Sequence, residues 1–305
     1  LIQDLQKKYD VSIVVLTYNS SDTALFKTLN SIITQRGVSF QIIIADDGSH
    51  DFNEKLLDNY FIENSFSDYI IAHQKINQGI CKNYYNGLLN AEGEYVKPIS
   101  PGDYFVDECV LSRWYKFLKE RSAILSFGKL VYYVNGGGKA SFEIMSNLKP
   151  RNIEVFKSGS IFKQQLDYIV LADYPIGAGF ISKRLETIEY LKNILCRIKY
   201  CEDTIYQMML IDGNRVHFFE EDVIKYECSS GISTSNNNKW NKLIDNDLKE
   251  AQILISKAHG EKDNYRTFMI RKYLGYRIKK NNIFSKYMKY VIFPQLLFLR
   301  KMTKR

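Results

Sequence analysis

Four short runs of β-branched and other apolar residues, each set apart by a helical pattern, restrict how the first hundred residues can fold. The runs are VSIVVLT (11–17), QIIIA (41–45), DYIIAH (68–73) and GEYVKPI (93–99). Between them, DTALFKTLNSIITQ (22–35) places Leu25, Leu29, Ile32 and Ile33 on one helical face, with Ser21 or Asp22 as the cap. A second helix is expected from about Phe52 to Ile62, and a third over GICKNYYNGLLNAE (79–92). Strands this apolar must be covered on both faces, and intervening helices supply that cover in a parallel sheet. The expected fold class is therefore α/β. Ligands of such sheets bind beyond the carboxyl ends of the strands.

Beyond residue 105 the pattern loosens. A helix is expected at 107–119, strand-like segments at 123–134, and a short strand at 177–182 running into a helix at 183–194. CEDTIYQMMLID (201–212) reads as a helix with Ile205, Met208 and Met209 on one face, and 215–227 as one or two strands. From about Trp240 the pattern is helical. The glycines at 136–138 read as a hairpin turn or flexible tip, since no buried strand-to-helix junction precedes them.

The chain has 305 residues, 45% hydrophobic and 25% charged, in the range of ordinary globular proteins and long enough for one large or two smaller domains. Its five cysteines include no Cys-x-x-Cys pair, which suggests reduced thiols in a cytoplasmic protein rather than a disulfide framework or metal cage. The first ten residues lack the apolar centre of a signal peptide, and no apolar run reaches the ~20 residues needed to span a bilayer. The net charge is +8, but twelve Lys or Arg and no acid lie in 265–305, leaving the first 264 residues at −4 (+8 less +12). That distribution argues against nucleic-acid binding by the main domain.

Polar groups collect at three of the four N-terminal strand ends. The first ends in Thr17, Tyr18 and Asn19, the second in Asp46-Asp47-Gly48-Ser49, and the fourth in the turn Ser100-Pro101-Gly102-Asp103. Each alone is good turn or cap chemistry. Three on one rim, two of them with carboxylates, point to a nucleotide-and-metal site. No Gly-x-Gly-x-x-Gly or Gly-Lys-Ser/Thr loop is present, so dinucleotide folds and phosphate-loop ATPases lack their backbone cradle. His73 and His217 sit within strand-like runs and read as structural.

The segments VSIVVLTYN, IIIADDGSHD, NQGICKNYYNGLLNAEGEY and SPGDYF, in this order, resemble family 2 glycosyltransferases of the GT-A fold, of the kind that build bacterial surface polysaccharides. YCEDTIYQMML resembles that family's Glu-Asp helix start, and YECSSGIST its late active-site loop. The resemblance, which covers roughly residues 10–235, implies a mixed, mainly parallel sheet flanked by helices, with a nucleotide-sugar half (1–105) and an acceptor half (106–235). The helical and basic pattern of the rest reads as a C-terminal amphipathic extension (236–305).

Carried over by position, Thr17, Tyr18 and Asn19 would surround the nucleotide base, usually uracil. Asp47 would accept a hydrogen bond from the base while Asp46 supports the turn. Lys82 and Asn83 would face the donor diphosphate, although Lys82 reads equally as a solvated helix-face lysine. Relatives write the fourth strand end as Asp-x-Asp-Asp. Here only Asp103 keeps an acid, beside Gly102, as ligand for a Mn2+ or Mg2+ ion that one or two carboxylates plus phosphate and water can hold. Asp203 would be the catalytic base of an inverting displacement, and Glu202, Gly177 and Gly179 would shape the acceptor pocket. Ordinary capping and helix-dipole chemistry is the competing reading of Glu202-Asp203, and packing or a bulge that of Gly177 and Gly179. The polar stretch 228–238 reads as a lid over the donor or as a plain surface loop.

The implied substrates are a nucleotide-sugar, UDP-linked, and a glycan or polyprenyl-diphosphate-linked oligosaccharide. The tail 265–305 mixes aromatic, aliphatic and basic residues, as helices lying on anionic bilayers do, and suggests peripheral attachment at the inner face of the cell membrane. It reads alternatively as an arm packing on the catalytic domain or on a second copy in a homo-oligomer. The stripped SPGD turn also keeps open a catalytically inactive glycan-binding or scaffolding subunit.

Overall fold

The structure, a computed structural model, describes residues 8–136, 139–144, 149–228, 238–257, 264–280 and 283–302. Gly137 and Gly138 of the triple-glycine run, residues 229–237 of the expected lid, and the first seven residues lie outside them.

The chain begins with β1 (Tyr9–Thr17), α1 (Asp22–Ile33), β2 (Phe40–Asp46), α2 (Glu54–Glu63), β3 (Tyr69–His73), α3 (Ile80–Leu88) and β4 (Gly93–Ile99). Next come β5 (Tyr104–Phe105), α4 (Val110–Glu120), β6 (Leu125–Gly136) and β7 (Lys139–Ile144). Short helices α5 (Glu154–Ser158) and α6 (Ile161–Gln165) lead through a π turn at Leu166–Val170 to a 3-10 turn at Gly177–Gly179. Then follow β8 (Phe180–Lys183), α7 (Arg184–Ile194), α8 (Thr204–Ile211) and β9 (Val216–Glu227). The last helices are α9 (Asn238–Lys257), α10 (Tyr265–Lys280), α11 (Ile283–Ile292) and α12 (Leu296–Met302).

All nine strands join one sheet in the order β3-β2-β1-β4-β8-β6-β9-β5, with β7 on the side of β6. The long ladders, β1 with β2 and β4, β2 with β3, and β6 with β9, are parallel; β8, β5 and β7 pair antiparallel. This is the mixed, mainly parallel α/β sheet expected from the sequence. Register fixes the rim: Thr17 lies opposite Asp46, and Asp46 opposite His73.

Side chains alternate between the faces of β1, so its apolar run feeds two cores. Val11, Ile13 and Val15 pack with Leu25, Leu29 and Ile32 of α1, Phe61 of α2 and Trp114 of α4. Val14 faces the other way, with Ile43, Tyr84, Phe180, Leu191 and Met209. That second core also takes in Ala251, Ile255, Ile270, Tyr273, Leu274, Phe293, Leu296 and Leu299. Residues 236–305 were expected as a helical basic extension, with packing on the catalytic domain as one reading of its tail; the described helices do pack into the domain's core. Arg271 ties them further, donating to Asp212 Oδ1 (2.8 Å) and to the Ile255 carbonyl (2.8 Å) while buried.

Two expected elements begin later than their pattern suggests. At 177–182 the strand starts only at Phe180, because the Ala178 carbonyl accepts from Lys97 Nζ instead of joining a ladder. The helix expected at 201–212 starts at Thr204, because the amides of 199–201 are drawn to a side chain of α9. The helical stretch at 154–170, with Leu166–Val170 buried, was not anticipated.

Leu274 is almost fully buried among these shared contacts. Leu274→Ala is expected to cost ~2–5 kcal/mol in urea denaturation, with helices and sheet lost in one transition. Two separable transitions would mean that the extension folds by itself.

Candidate active site

The ends of β1 and β2 are locked together before any ligand arrives. The Asp47 amide donates to the Thr17 carbonyl (3.0 Å), and buried Thr17 donates its hydroxyl to Ser20 Oγ (3.0 Å). Asn19 has a left-handed backbone (φ 48°), accepts from the His50 amide through Oδ1 (3.0 Å), and donates its own amide to Ser49 Oγ (2.7 Å). Tyr18, between these anchored residues, is exposed. Asp46 is occupied within the turn, by the Ser49 amide and hydroxyl and by His73 Nδ1 at 2.8 Å. His73 in turn stacks on Phe52, 4.4 Å between centroids.

Asp47 is buried, and each of its oxygens already accepts a backbone amide, from Gln78 (2.7 Å) and Gly79 (2.8 Å). Burial pushes its carboxyl up, opposed by those two amides and by the Lys199 ammonium. A base reaching Asp47 shares an acceptor that also fixes the start of α3. Lys199 itself is exposed, its charge reaches Asp47 and its carbonyl accepts from the Cys81 amide (3.0 Å), so it stands beside the end of β2. The sequence reading missed it. Of the two α3 residues assigned to the diphosphate, Lys82 is exposed. Asn83 is not presented to the rim: it is buried, with Nδ2 donating to the Ala45 carbonyl (2.7 Å) and so fastening α3 to β2.

The turn after β4 rests on α1. Gly102 has φ +103°, a left-handed conformation that costs little only without a Cβ. Its amide donates to Thr28 Oγ1 (2.9 Å), which donates to the Asp103 carbonyl (2.7 Å); its own carbonyl accepts from Tyr133 Oη (2.5 Å). Asp103 is buried and accepts the Glu227 amide through Oδ1 (2.9 Å). Burial pushes its carboxyl up to about 7, helped by the Glu227 charge and opposed by the Glu227 amide and Lys97.

Lys97 is a lysine with no water around it. It is fully buried and donates to the Pro98 (2.6 Å) and Ala178 (2.7 Å) carbonyls. Burial pushes its ammonium down to about 7, with Asp103 opposing. The lysine therefore joins the donor turn to the 177–179 turn, and through it to the second candidate cluster. A Cβ on Gly177 would stand 3.3 Å from Asp203 Cβ, so only glycine lets this turn pass so close to Asp203 without displacing it.

Asp203 occupies the cap position of α8, yet its side chain makes no capping hydrogen bond. That weakens ordinary capping as the reason for a carboxylate here. Glu202 and Asp203 are half-buried, with Tyr168, Tyr174 and Tyr206 close by. Burial drives both carboxyls above the usual range, Glu202 further because Asp203 charges it as well. The loop before them is held by one atom, since Asp247 Oδ2 on α9 accepts the amides of Lys199 (3.0 Å), Tyr200 (2.6 Å) and Cys201 (3.2 Å).

Among the described residues no cluster of three or more His, Cys, Asp or Glu could hold a metal. The donor set that remains is Asp103 with Glu227, whose Cβ lies 3.5 Å from where a Gly102 Cβ would be. Two adjacent acids raise each other's proton affinity, and a cation would relieve that. The pair meets the minimum for an ion that keeps waters and phosphate oxygens, and fits a site completed by its substrate. The five cysteines are free thiols.

The sequence model described as Glycosyl transferase family 2 matches residues 12–187. Over 131 residues the chain is 31% identical to a poly(ribitol-phosphate) beta-glucosyltransferase of Bacillus spizizenii, covering 42% of this chain and 20% of that protein. Over 134 residues it is 31% identical to a cholesterol galactosyltransferase of Borreliella burgdorferi, covering 44% and 36%. The chain thus spans well under half the length of these relatives. Among solved structures, S. aureus TarS 1–349 aligns with TM-score 0.58 at 17% identity, over 96% of this chain and 80% of that one. The mannosyltransferase PcManGT from Pyrobaculum calidifontis, in complex with GDP-Man and Mn2+, aligns with TM-score 0.59 at 13% identity, over 98% and 80%. These alignments show a shared fold. On the family match, which takes in more than half of its length, this chain belongs to glycosyl transferase family 2.

Proposed function

We propose that this chain transfers one sugar, with inversion, from a nucleotide-sugar to a hydroxyl of a glycan or lipid-linked oligosaccharide during surface-polysaccharide synthesis. The observation that carries the reading is Asp203: a carboxylate at a helix start that makes no side-chain capping hydrogen bond, partly open, against a glycine turn tied to the Asp103 turn through Lys97. Such a group can take the proton of an attacking hydroxyl. Relatives and structural neighbours named as glucosyl-, galactosyl- and mannosyltransferases support the reaction class, and a neighbour in complex with UDP supports the nucleotide.

The roles follow from position. Tyr18, exposed between fixed neighbours, offers a face for the base, with Thr17 and Asn19 holding the backbone beneath it and Asp47 as the acceptor shared with α3. Lys82 and Lys199 bring positive charge to the diphosphate. Asp203 takes the acceptor proton, Glu202 orients the acceptor, and the Gly177–Gly179 turn forms its wall. A Mn2+ or Mg2+ ion, held by Asp103 with Glu227, would supply neutralisation of the departing diphosphate. Peripheral contact of 265–305 with the inner face of a membrane would bring lipid-linked acceptors within reach. A second reading, an inactive glycan-binding or scaffolding subunit, draws on the burial of Asp103 and the loss of the other acids from its turn.

Asp203→Asn keeps the shape and removes the base. Transfer measured over a panel of nucleotide-sugars is expected to fall about 100- to 10,000-fold, and full retained transfer would sink the assignment. The base works only when ionised, so kcat/KM should rise with pH. Because burial holds the Asp203 carboxyl up, that acid limb should lie above the ordinary aspartate value of about 4; a limb at the ordinary value rejects a buried base. In calorimetry, UDP should bind more tightly with Mn2+ than without it. Equal binding removes the ion from the reading, and UDP binding without turnover of any donor favours the inactive subunit.

A further inference from the structure

Surface helices usually turn one apolar side inward; α11 does so and carries a second apolar side outward. Ser285 is buried, and Met288 and Ile292 pack on the core. Ile283, Phe284, Tyr287 and Val291 are exposed at 61–74%. At 3.6 residues per turn these four fall within an arc of about 100°. The pattern continues past Pro294, where α12 buries Leu296 and Leu299 and exposes Leu297 and Phe298. Six of the thirteen large apolar side chains found exposed among the described residues therefore lie within 283–298.

Along this stretch of sequence the charge has one sign. Residues 265–305 hold twelve Lys or Arg and no acid. Arg266, Lys272, Lys279 and Lys280 on α10 and Lys286 on α11 are exposed. On the helical wheel Lys286 flanks the apolar arc, about 60° from Ile283. Neither helix is long enough to span: among the described residues none is long and apolar enough to cross a membrane.

We infer that α11 and α12 are a docking surface for an anionic lipid bilayer, the apolar stripe entering the headgroup boundary and the flanking lysines meeting its phosphates. The inference deepens the reading of 265–305 as a membrane contact and needs no sugar transfer to hold. An exposed apolar stripe on a segment with twelve Lys or Arg and no acid is complementary to anionic lipid. A second copy docked on the same face would bring two acid-free basic segments together, and their repulsion opposes that pairing.

The test is flotation of the full chain with phosphatidylglycerol-containing vesicles and with pure phosphatidylcholine vesicles. Binding is expected to the anionic vesicles and to weaken as salt rises. Phe284→Ser with Val291→Ser should reduce it about tenfold or more, and Lys279→Gln with Lys280→Gln and Lys286→Gln about a hundredfold. All five side chains are exposed, so thermal unfolding should stay at the wild-type value. Absent binding, equal binding to neutral vesicles, or indifference to both variants overturns the inference. So does a dimer, seen by light scattering, that Phe284→Ser with Val291→Ser abolishes. Turnover with a soluble acceptor is measured alongside. Vesicle binding without turnover overturns only the transferase reading, and turnover without vesicle binding overturns only this one.

Discussion

The Lys97 side chain is shut off from solvent, and several segments of the site converge on its Nζ. A buried charge is tolerable only when paired and hydrogen-bonded. Lys97 has the Pro98 and Ala178 carbonyls and the field of Asp103. The first lies at the end of β4, the second in the turn before β8, and the third in the donor turn. Pulling any of them away leaves the ammonium short of a partner, so the three segments keep one arrangement. Glycines supply the compliance this needs, at 102 for the turn's left-handed step and at 177 for the close pass by Asp203.

The first four strands and the helices between them were legible because their burial is two-sided and leaves uninterrupted apolar runs. The strand ends were legible for the complementary reason, that polar residues recur where those runs stop. What the sequence hid was pairing over distance. Lys97 reads as an ordinary strand lysine, and the one clue was its place in a strand buried on both faces, with no solvent side to point toward. Asp247 reads as one acid among many on a helix, since its partners are three backbone amides that carry no sequence signature. Asn83, assigned to the donor by its neighbourhood, instead meets a carbonyl of the sheet. Helical periodicity could not separate a side chain facing the rim from one facing β2.

The division into halves was partly a matter of where motifs fall along the chain. Lys199 and Glu227, from beyond residue 105, stand beside Asp47 and Asp103, and the sheet runs through both halves, with β8 and β6 continuing directly from β4. The late helices were the least readable part. Their composition is that of a basic amphipathic extension suited to a membrane or to packing on the domain, and one side of each of α9 and α10 belongs to the main core. Amphipathic pattern reveals that a helix has an apolar side, not which surface that side covers.

The clasp made by Asp247 gives the late helices a place in the mechanics of the site. α11 packs on α10, α10 on α9, and α9 holds the three amides just ahead of Glu202 and Asp203. A load applied to the outer helices is thereby carried along packed helices to the loop that aims the candidate base. Anchorage and aim share one lever, so whatever grips the outside of this protein also has a hand on the position of the Glu202-Asp203 pair.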